Sequence, residues 1–389
     1  MIERLRARGI LIVEFFYMAE EISLYIHLPF CRKKCPYCSF FVLPYSLEAE
    51  EMLVEALLRH LEIIEESFRG KRPVSVYFGG GTPSLVSLEG LAKIVGAVRR
   101  LPALFDESCE WTLEANPEDI DEGRAKSYSA LGINRVSLGV QSFAPEELLF
   151  LGRAAGKSQS VKAIEAFHAA GIQNISIDLI FELMDQTVHD FAKTLDVVKE
   201  LPITHLSLYN LMIEEGSSFY KKKESLEKRR PTSEEGAKMV EKAIEKLNLY
   251  GFEHYEISAF CKNGLISRHN TGYWTARPFW GIGPSAWSFI DGERMQCVKN
   301  LKKYHEQLHS NSSPFCFTEK LDPIDLHKEE LGLRLRLNTG LAKEKIHLKE
   351  SFTSIKNLID KGWVEETSST FFLTKTGKLF YDSVQMELL

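Results

Sequence analysis

The sequence has few cysteines and no long uninterrupted apolar run near its start. It has seven cysteines in 389 residues, an odd number that intrachain disulfides cannot use completely. The apolar run GILIVEFFYM is interrupted by Glu14 and is shorter than the ~20 residues that a membrane-spanning helix needs. These shortages exclude a disulfide framework and a membrane span, and they favour a cytoplasmic protein whose clustered cysteines serve metal or redox chemistry.

The chain also lacks an excess of positive charge, with 48 Lys and Arg against 54 Asp and Glu. The formal net charge is -6, and the last 39 residues hold four lysines against five acidic side chains. Nucleic acid attracts proteins through clustered basic side chains, so we expect no nucleic-acid partner. The hydrophobic content of 44% and the charged content of 26% are typical of an ordinary globular protein.

Short β-branched runs alternate with amphipathic helical segments over the first half of the chain. Six strands are predicted, at residues 23–28, 74–79, 110–115, 135–141, 174–181 and 205–212. A long helix is predicted from Leu47 to Phe68 with Ser46 as its N-cap, and two more at residues 156–171 and 187–202. Alternating strands and helices predict an α/β fold, a partial (β/α)6 barrel with parallel strands and right-handed connections.

The composition changes along the chain and suggests four regions. We expect an N-terminal extension at residues 1–21, the partial barrel at 22–220 and a capping or linker region at 221–320. A winged-helix-like unit is expected at 321–389, from a helix, a Lys-Gly turn, two short strands and a closing helix. Met18 is the expected natural start, which would make residues 1–17 an upstream extension.

Three cysteines lie within eight residues in YIHLPFCRKKCPYCSFF, directly after the first predicted strand. Cys31, Cys35 and Cys38 have the spacing CxxxCxxC, and Phe40 stands where a fourth cysteine would fit. Structural zinc sites and electron-transfer 4Fe-4S clusters normally have four protein ligands. The loop is therefore either a cluster site with one open iron or a zinc site completed by a distant His or Cys.

The segment GGGTPS, Gly79 to Ser84, ends the second predicted strand. It lacks the GK[ST] ending that defines a phosphate-binding P-loop. Glycines let a backbone approach a ligand closely and offer free N–H and C=O groups. Taken alone, the segment is equally compatible with a simple turn.

Polar side chains recur at or just beyond the carboxyl ends of later strands. They are Glu114 in LEANP, Gln141 in GVQSF, Arg153 in LGR and Asp178 in SIDLI. Sites of parallel α/β barrels are built at that edge. A carboxylate accepts hydrogen bonds from hydroxyl or ammonium groups, and Arg pairs with a carboxylate in a fork, so we expect one shared pocket.

The cysteine loop, GGGTPS, LEANP, GVQSF and LGR together resemble the radical SAM superfamily. Within it they are similar to oxygen-independent coproporphyrinogen III oxidases and the related HemW-type haem chaperones, from about residue 22 onward. The resemblance implies a 4Fe-4S cluster on Cys31, Cys35 and Cys38, and S-adenosylmethionine, whose reductive cleavage gives a 5'-deoxyadenosyl radical. The residues that it assigns to S-adenosylmethionine are Tyr25, Tyr37, Gly80, Gly81, Thr82, Glu114, Gln141, Arg153 and Asp178.

Two functions remain open. The first is a haem chaperone that binds haem and passes it to an unknown acceptor protein, with membrane association only through that acceptor. The alternative is the oxidase, which decarboxylates porphyrinogen propionates. In the chaperone the radical machinery is regulatory or vestigial. We also expect an electron donor of the reductase or flavodoxin type. Three features favour the chaperone: Phe40 in place of the oxidase's fourth cysteine, the short segment before the cysteine strand, and HNTGYW, which resembles a haem-associated HNxxYW motif.

His269 of that motif is the candidate haem ligand, because neutral imidazole is a common axial ligand of haem iron. The alternative is a structural turn in which the motif's aromatic rings pack beneath the barrel. Two departures from the family pattern bear on the chemistry: Ala155 replaces a His, and residues 182–187 read ELMDQT instead of GLPGQT.

Overall fold

The computed structural model describes residues 19–389, so most of the expected N-terminal extension and the predicted start at Met18 lie outside the described residues. The strands are β1 (Glu21–Leu28), β2 (Phe30–Cys31), β3 (Leu43–Pro44), β4 (Arg72–Gly80), β5 (Glu110–Ala115), β6 (Arg135–Gln141), β7 (Asn174–Phe181), β8 (His205–Asn210), β9 (Glu253–Glu256), β10 (Ala259–Cys261), β11 (Phe279–Ile282), β12 (Trp287–Ile290), β13 (Glu293–Cys297), β14 (Phe315–Lys320), β15 (Leu341–Ala342), β16 (Val364–Glu366) and β17 (Thr370–Leu373).

The helices follow the strands as crossovers in the first half of the chain and dominate its end. They are α1 (Leu47–Ile64), α2 (Leu88–Arg99), α3 (Glu122–Ala130), α4 (Pro145–Phe150), α5 (Lys157–Ala169), α6 (Val188–Val198), α7 (Lys223–Glu227), α8 (Ser233–Leu249), α9 (Arg268–Trp274), α10 (Leu301–His309), α11 (Pro323–Arg334), α12 (Lys349–Asp360), α13 (Lys375–Leu379) and α14 (Tyr381–Leu388). No helix within residues 19–389 is both long and apolar enough to cross a membrane.

One large sheet organises residues 21–320. Its order is β14-β13-β12-β11-β1-β4-β5-β6-β7-β8-β10-β9. The six predicted strands are adjacent and parallel, and β11 adds a seventh parallel strand beside β1. In the described part of the chain the sheet keeps two edges, β14 and β9, which confirms the predicted mixed α/β fold with a partial rather than closed barrel.

Helices cover the sheet because its strands carry apolar side chains toward them. Leu24, Phe78, Leu113, Leu138 and Ile177 are fully buried in a core that they share with the crossover helices. Nearly continuous burial along these strands is typical of parallel sheets that are covered on both faces. The carboxyl ends of the strands are consequently left as the edge on which loops carry functional side chains.

The C-terminal unit has its own apolar core, which includes Leu341, Leu358 and Val384. It consists of a three-stranded antiparallel sheet, in the order β15-β17-β16, with helices that include α11, α12 and α14. Its description as a winged-helix-like unit stays a prediction. The proposed boundaries at residues 220/221 and 320/321 stay predictions, although β14 ends at Lys320.

Candidate functional site

The cysteine loop is closed at its base by two short strands. β2 pairs in parallel with β3, so residues 32–42 form a loop beyond the end of β1. Cys31, Cys35 and Cys38 are all free and half-buried, and the Cys38 N–H donates to the Cys35 carbonyl oxygen at 3.1 Å. Three thiols are therefore held on one short, locally ordered loop.

Two hydrogen bonds tie the thiols to neighbouring strand ends. Cys31 Sγ lies 3.5 Å from Thr82 Oγ1, and Arg153 Nη1 donates to Cys35 Sγ at 3.7 Å. Burial raises the pKa of the Cys31 and Cys38 thiols, which disfavours their thiolate forms in the absence of a cation. A bound metal centre supplies that positive charge when thiolates coordinate it.

The number of thiols bears on what the loop holds. Structural zinc sites and electron-transfer 4Fe-4S clusters normally have four protein ligands, and this loop supplies three half-buried thiols. This donor set fits a 4Fe-4S cluster that keeps one iron open.

The glycine segment packs against the end of β1 rather than standing free. Gly80 has a φ of 116°, and a Cβ atom there would lie 2.6 Å from the His27 ring. A Cβ on Gly81 would lie 2.6 Å from the Phe30 carbonyl oxygen. Only glycine allows this close approach of two backbones.

The N–H groups of the glycine segment are not free as the sequence argument expected. Gly80 donates to Glu114 Oε2 at 3.0 Å, Gly81 to the Leu28 carbonyl oxygen at 2.9 Å, and Thr82 to that of Phe30 at 2.7 Å. Tertiary packing satisfies these donors in the protein itself. Their assignment to S-adenosylmethionine stays a prediction.

Two carboxyl groups lie inside the barrel on neighbouring parts of the sheet. Glu114 accepts from Tyr77 Oη at 2.8 Å, and burial, to which the charge of Asp178 adds, raises its pKa to about 7. Asp178 accepts from Ser137 Oγ at 3.2 Å, and burial raises its pKa as well. Asp178 is the fifth of eight residues of β7, so it lies within the strand rather than at its end.

Arg153 is at the centre of a hydrogen-bonded set that the sequence argument identified only in part. Its Nη2 donates to Asn116 Oδ1 at 2.7 Å and to the Gly139 carbonyl oxygen at 2.6 Å. Asn116 Nδ2 in turn donates to Thr82 Oγ1 at 3.2 Å. Asn116 was missed although it lies in the LEANP motif, because spacing alone does not show which strand end its amide faces.

The remaining predicted residues have different surroundings. Gln141, the last residue of β6, has a φ of 69° beside a register shift, a left-handed conformation uncommon outside glycine. Tyr25 lies inside the barrel, with its Oη 3.0 Å from His27 Nδ1 and its ring stacked on Tyr77. Tyr37 packs on an apolar cluster that includes Leu151. The structure therefore joins Thr82 and Arg153 to the cysteine loop by hydrogen bonds, whereas Glu114 bonds Tyr77 and the Gly80 N–H of the glycine segment.

HNTGYW lies at the opposite end of the barrel, as helix α9. The backbone N–H groups of Arg268 and His269 donate to Glu110, the first residue of β5. His269 is 1% exposed; its Nδ1 lies 2.8 Å from Ser75 Oγ and its Nε2 lies 2.8 Å from Tyr273 Oη. Burial lowers the pKa of His269 to about 3, so the ring is a neutral, fully hydrogen-bonded core residue in this structure.

A cavity of about 640 Å³ adjoins the same motif. It lies between the β11–β12 pair and α11 of the C-terminal unit. Its walls include the aromatic side chains of Tyr273, Phe279, Trp287 and Phe289, with His327 and Arg294 on the polar side. Its size and mixed lining are typical of small-molecule pockets.

Comparison with known proteins identifies the family. The radical SAM superfamily profile matches residues 25–198. The chain is 31% identical to the protein named "Heme chaperone HemW" of Bacillus subtilis (strain 168) over 373 residues, covering 93% of this chain and 97% of that protein. It is 33% identical over 360 residues to the protein of the same name from Synechocystis sp., covering 88% of this chain and 86% of that protein. The chain belongs to the HemW family of radical SAM proteins.

The overall fold also matches a solved structure. The coproporphyrinogen III oxidase (HemN) of Escherichia coli, described as a radical SAM enzyme, superposes with a TM-score of 0.82 at 22% identity, covering 97% of this chain and 92% of that chain. At that identity the likeness concerns the fold alone. It confirms the predicted radical SAM architecture.

Membership of a radical SAM family implies a 4Fe-4S cluster and S-adenosylmethionine. The donor set fits this implication, because three half-buried thiols occupy one loop. The individual ligand and S-adenosylmethionine residues stay predictions.

The HemW-family chain departs from the GLPGQT pattern in an instructive way. Glu182 and Asp185 occupy the two glycine positions, and both have left-handed backbone, with φ of 57° and 59°. The glycine pattern is thus explained by the backbone conformation. A non-glycine residue held there costs about 1–3 kcal/mol, so contacts of the new side chains must hold the loop.

Proposed function

We propose that this protein is a haem chaperone that binds haem, carries a 4Fe-4S cluster with S-adenosylmethionine, and transfers haem to an acceptor protein. The observation that carries the proposal is the match, over nearly the whole chain, to relatives named heme chaperones. A purely structural barrel with incidental cysteines does not account for the hydrogen bonds that join the cysteine loop to Thr82 and Arg153.

Cys31, Cys35 and Cys38 are the proposed cluster ligands, and the cluster with S-adenosylmethionine supplies radical chemistry when both are bound. The protein's own contribution is positioning. Arg153 already holds Asn116 and the Gly139 carbonyl oxygen at 2.7 and 2.6 Å, and its remaining donor capacity suits a carboxylate of the bound ligand. Glu114 is the proposed acceptor for ligand hydroxyl or ammonium groups.

The cavity beside HNTGYW is the proposed haem site. Tyr273, Phe279 and Phe289 provide aromatic surface for a porphyrin face, and His327 is a half-buried imidazole in its wall. His269 is the alternative ligand, but coordination through either of its nitrogens would break a 2.8 Å hydrogen bond with Ser75 or Tyr273. Haem ligation by His269 therefore requires a local rearrangement.

Haem titration of the anaerobic, cluster-loaded protein tests the proposal. We expect one saturable equivalent with a shifted Soret band, followed by haem transfer to an apo-globin used as the acceptor probe. His327→Ala and His269→Ala should each be compared with His189→Ala, an exposed residue far in sequence from the motif. Binding without saturation in the wild type would overturn the chaperone function; an unchanged spectrum in His269→Ala would remove that residue as ligand.

The oxidase remains a second candidate because the barrel keeps Glu114, Arg153 and the three cysteines in hydrogen-bonding surroundings. The same preparation, supplied with coproporphyrinogen III, S-adenosylmethionine and a reductant, discriminates the two. Protoporphyrinogen formed faster than in a cluster-free control would establish oxidase activity. Absence of product from an intact cluster leaves the chaperone.

A further inference from the structure

Two surface helices bring together a carboxylate and two imidazoles at some distance in sequence from the cysteine loop. Glu55 lies on α1, and His305 and His309 lie one turn apart on α10. Glu55 Oε2 is 3.2 Å from His305 Nε2, and Glu55 Oε1 is 3.1 Å from His309 Nε2. The two rings stack with centroids 4.1 Å apart, so all three donor groups face one point.

The tautomer of His309 follows from its other nitrogen. His309 Nδ1 lies 2.9 Å from the carbonyl oxygen of His305, and a carbonyl only accepts, so Nδ1 carries the hydrogen. In the neutral ring, Nε2 then presents its lone pair to a carboxylate oxygen. Two acceptors at 3.1 Å repel unless a proton or a metal cation lies between them.

The distances fit a metal ion. With ligand bonds of about 2.0–2.1 Å, the edge of a tetrahedral zinc site is about 3.3 Å. The distance of 3.2 Å from Glu55 Oε2 to His305 Nε2 and the distance of 3.1 Å from Glu55 Oε1 to His309 Nε2 are each close to that edge, although they end on different oxygens of the carboxylate. One donor atom from each of the three residues lies within 4.8 Å of the other two. An Nδ1–H bond to a backbone carbonyl is also the usual support for a histidine ligand that coordinates through Nε2.

The helices that carry these groups are fixed to each other. Tyr304, the residue before His305, is fully buried, and its Oη lies 2.7 Å from His60 Nδ1 on α1. Tyr304 Oη also accepts from the Gly283 N–H at 2.8 Å. At the far end, Arg59 Nη2 donates to Asn311 Oδ1 at 2.6 Å. Ligands on two mutually braced helices are positioned before a metal arrives.

We propose that Glu55, His305 and His309 bind a divalent transition-metal ion, with Zn²⁺ as the probe. The sequence signal is HEQLH at residues 305–309, which has the HExxH spacing that places two histidines on one helix face. Three protein ligands leave a fourth position open to solvent or to a further ligand. We assign no hydrolytic role to Glu306, because its exposed carboxylate pairs with Lys302, with Oε1 3.9 Å from Nζ.

Zinc binding to the full chain tests the site. The protein is first loaded anaerobically with its iron–sulfur cluster, so that Cys31, Cys35 and Cys38 are not available to Zn²⁺, and is then titrated calorimetrically with ZnCl₂. We expect the His305→Ala/His309→Ala variant to bind one equivalent fewer than the wild type. The matched control, His168→Ala/His189→Ala, removes two other exposed histidines and should bind as the wild type does.

Glu55→Gln sharpens the assignment, since it keeps the side-chain shape and removes the charge. Loss of a residue that only supports a metal ligand typically weakens binding by about 10–100-fold, and we expect loss of the Glu55 charge to weaken zinc binding by at least about tenfold. Equal stoichiometry and affinity in the wild type and His305→Ala/His309→Ala would overturn the proposal and leave two histidine–carboxylate hydrogen bonds. Because no haem or S-adenosylmethionine is present in the titration, this outcome is independent of the chaperone function.

Discussion

Polar residues at the two ends of the barrel differ in their exposure and in their hydrogen bonding. At the carboxyl end, three half-buried thiols stand on a loop and receive one long hydrogen bond each at Cys31 and Cys35. At the amino end, His269 is 1% exposed and both of its ring nitrogens have partners at 2.8 Å. The two motifs therefore differ in accessibility and in hydrogen-bond satisfaction, and this difference predicts that the cysteine loop binds a ligand whereas His269 has a structural role.

The amino-end motif also joins the barrel to the C-terminal unit. The guanidinium carbon of Arg336 lies over the Trp274 ring, 4.1 Å from the centroid of that ring. The same carbon lies 4.9 Å from the centroid of the Tyr381 ring. Arg336 Nη2 further donates to Glu256 at 3.4 Å. Within HNTGYW, Trp274 therefore packs against the C-terminal unit, and Tyr273 lines the 640 Å³ cavity.

The largest expected effect is at the carboxyl end. Cys35→Ala should reduce bound iron from about four atoms per chain to background, because a cluster with two protein thiolates is not held. Cys316→Ala is the matched control, since Cys316 is free and exposed elsewhere. Iron and sulfide analysis after anaerobic reconstitution measures the result. If the two variants lost iron equally, the assignment of the cluster to the cysteine loop would be wrong.

The amino end should respond in stability instead. His269→Ala removes a buried ring that bonds Ser75 and Tyr273 and stacks on Tyr77 with centroids 4.7 Å apart. Unpaired hydroxyls and the cavity together predict a loss of about 2–4 kcal/mol in the free energy of unfolding. Urea denaturation checks this, with exposed His189→Ala expected within about 0.5 kcal/mol of wild type. A loss below about 1 kcal/mol for His269→Ala would contradict a structural joint.

A pH effect should separate the ends further. Burial raises the pKa of Glu114 to about 7, so its carboxylate is mostly protonated at pH 6 and mostly ionised at pH 8. If the ionised form accepts from S-adenosylmethionine, the dissociation constant should fall by about tenfold from pH 6 to pH 8. Calorimetric titration measures it. Glu114→Gln is the control: its side chain does not titrate, so any pH dependence that remains in this variant does not come from residue 114. If the wild type and Glu114→Gln showed the same change of the dissociation constant with pH, Glu114 would not be the acceptor for S-adenosylmethionine.

The smallest effect is expected at Phe40, which is 66% exposed beside the cysteine loop. Phe40→Cys, studied under reducing anaerobic conditions, should leave the iron content unchanged and alter stability by no more than about 0.5 kcal/mol. A fall in S-adenosylmethionine affinity would instead mean that the new thiol occupies the open iron position. That result would sharpen the distinction between a three-cysteine and a four-cysteine loop.

The strands were predictable because buried parallel strands are short, apolar and β-branched. All six predicted strands are present, and Ser46 is the N-cap of α1, where its side chain accepts from the Ala49 N–H. Strands β11 to β14 were not predicted. Their segment is rich in glycine and aromatic residues, and a Cβ on Gly281 would lie 1.8 Å from the Trp287 carbonyl oxygen, so glycine there permits strand contact rather than marking a loop.

The site was predictable only to the level of its motifs. Cysteine spacing and strand ends indicated the loop and its neighbours, yet Asn116 and Tyr77 became recognisable only through their bonds to Arg153 and Glu114. The surface group at Glu55 was missed for the same reason. Its carboxylate and the HEQLH histidines are separated by about 250 residues and meet only because α1 packs against α10.

The loop at residues 182–187 has left-handed backbone at two positions where the family pattern has glycine and this chain does not. Glycine adopts left-handed backbone without the steric cost of a side chain. Here the Asp185 carboxylate accepts from Arg229 Nε at 2.9 Å, and the Asp185 N–H donates to the Arg229 carbonyl oxygen at 2.8 Å. Leu183 and Met184 are buried between the two positions. The loop that follows β7 at the carboxyl end of the sheet is thereby fastened to Arg229, in the segment after α7, by one side-chain and one backbone contact.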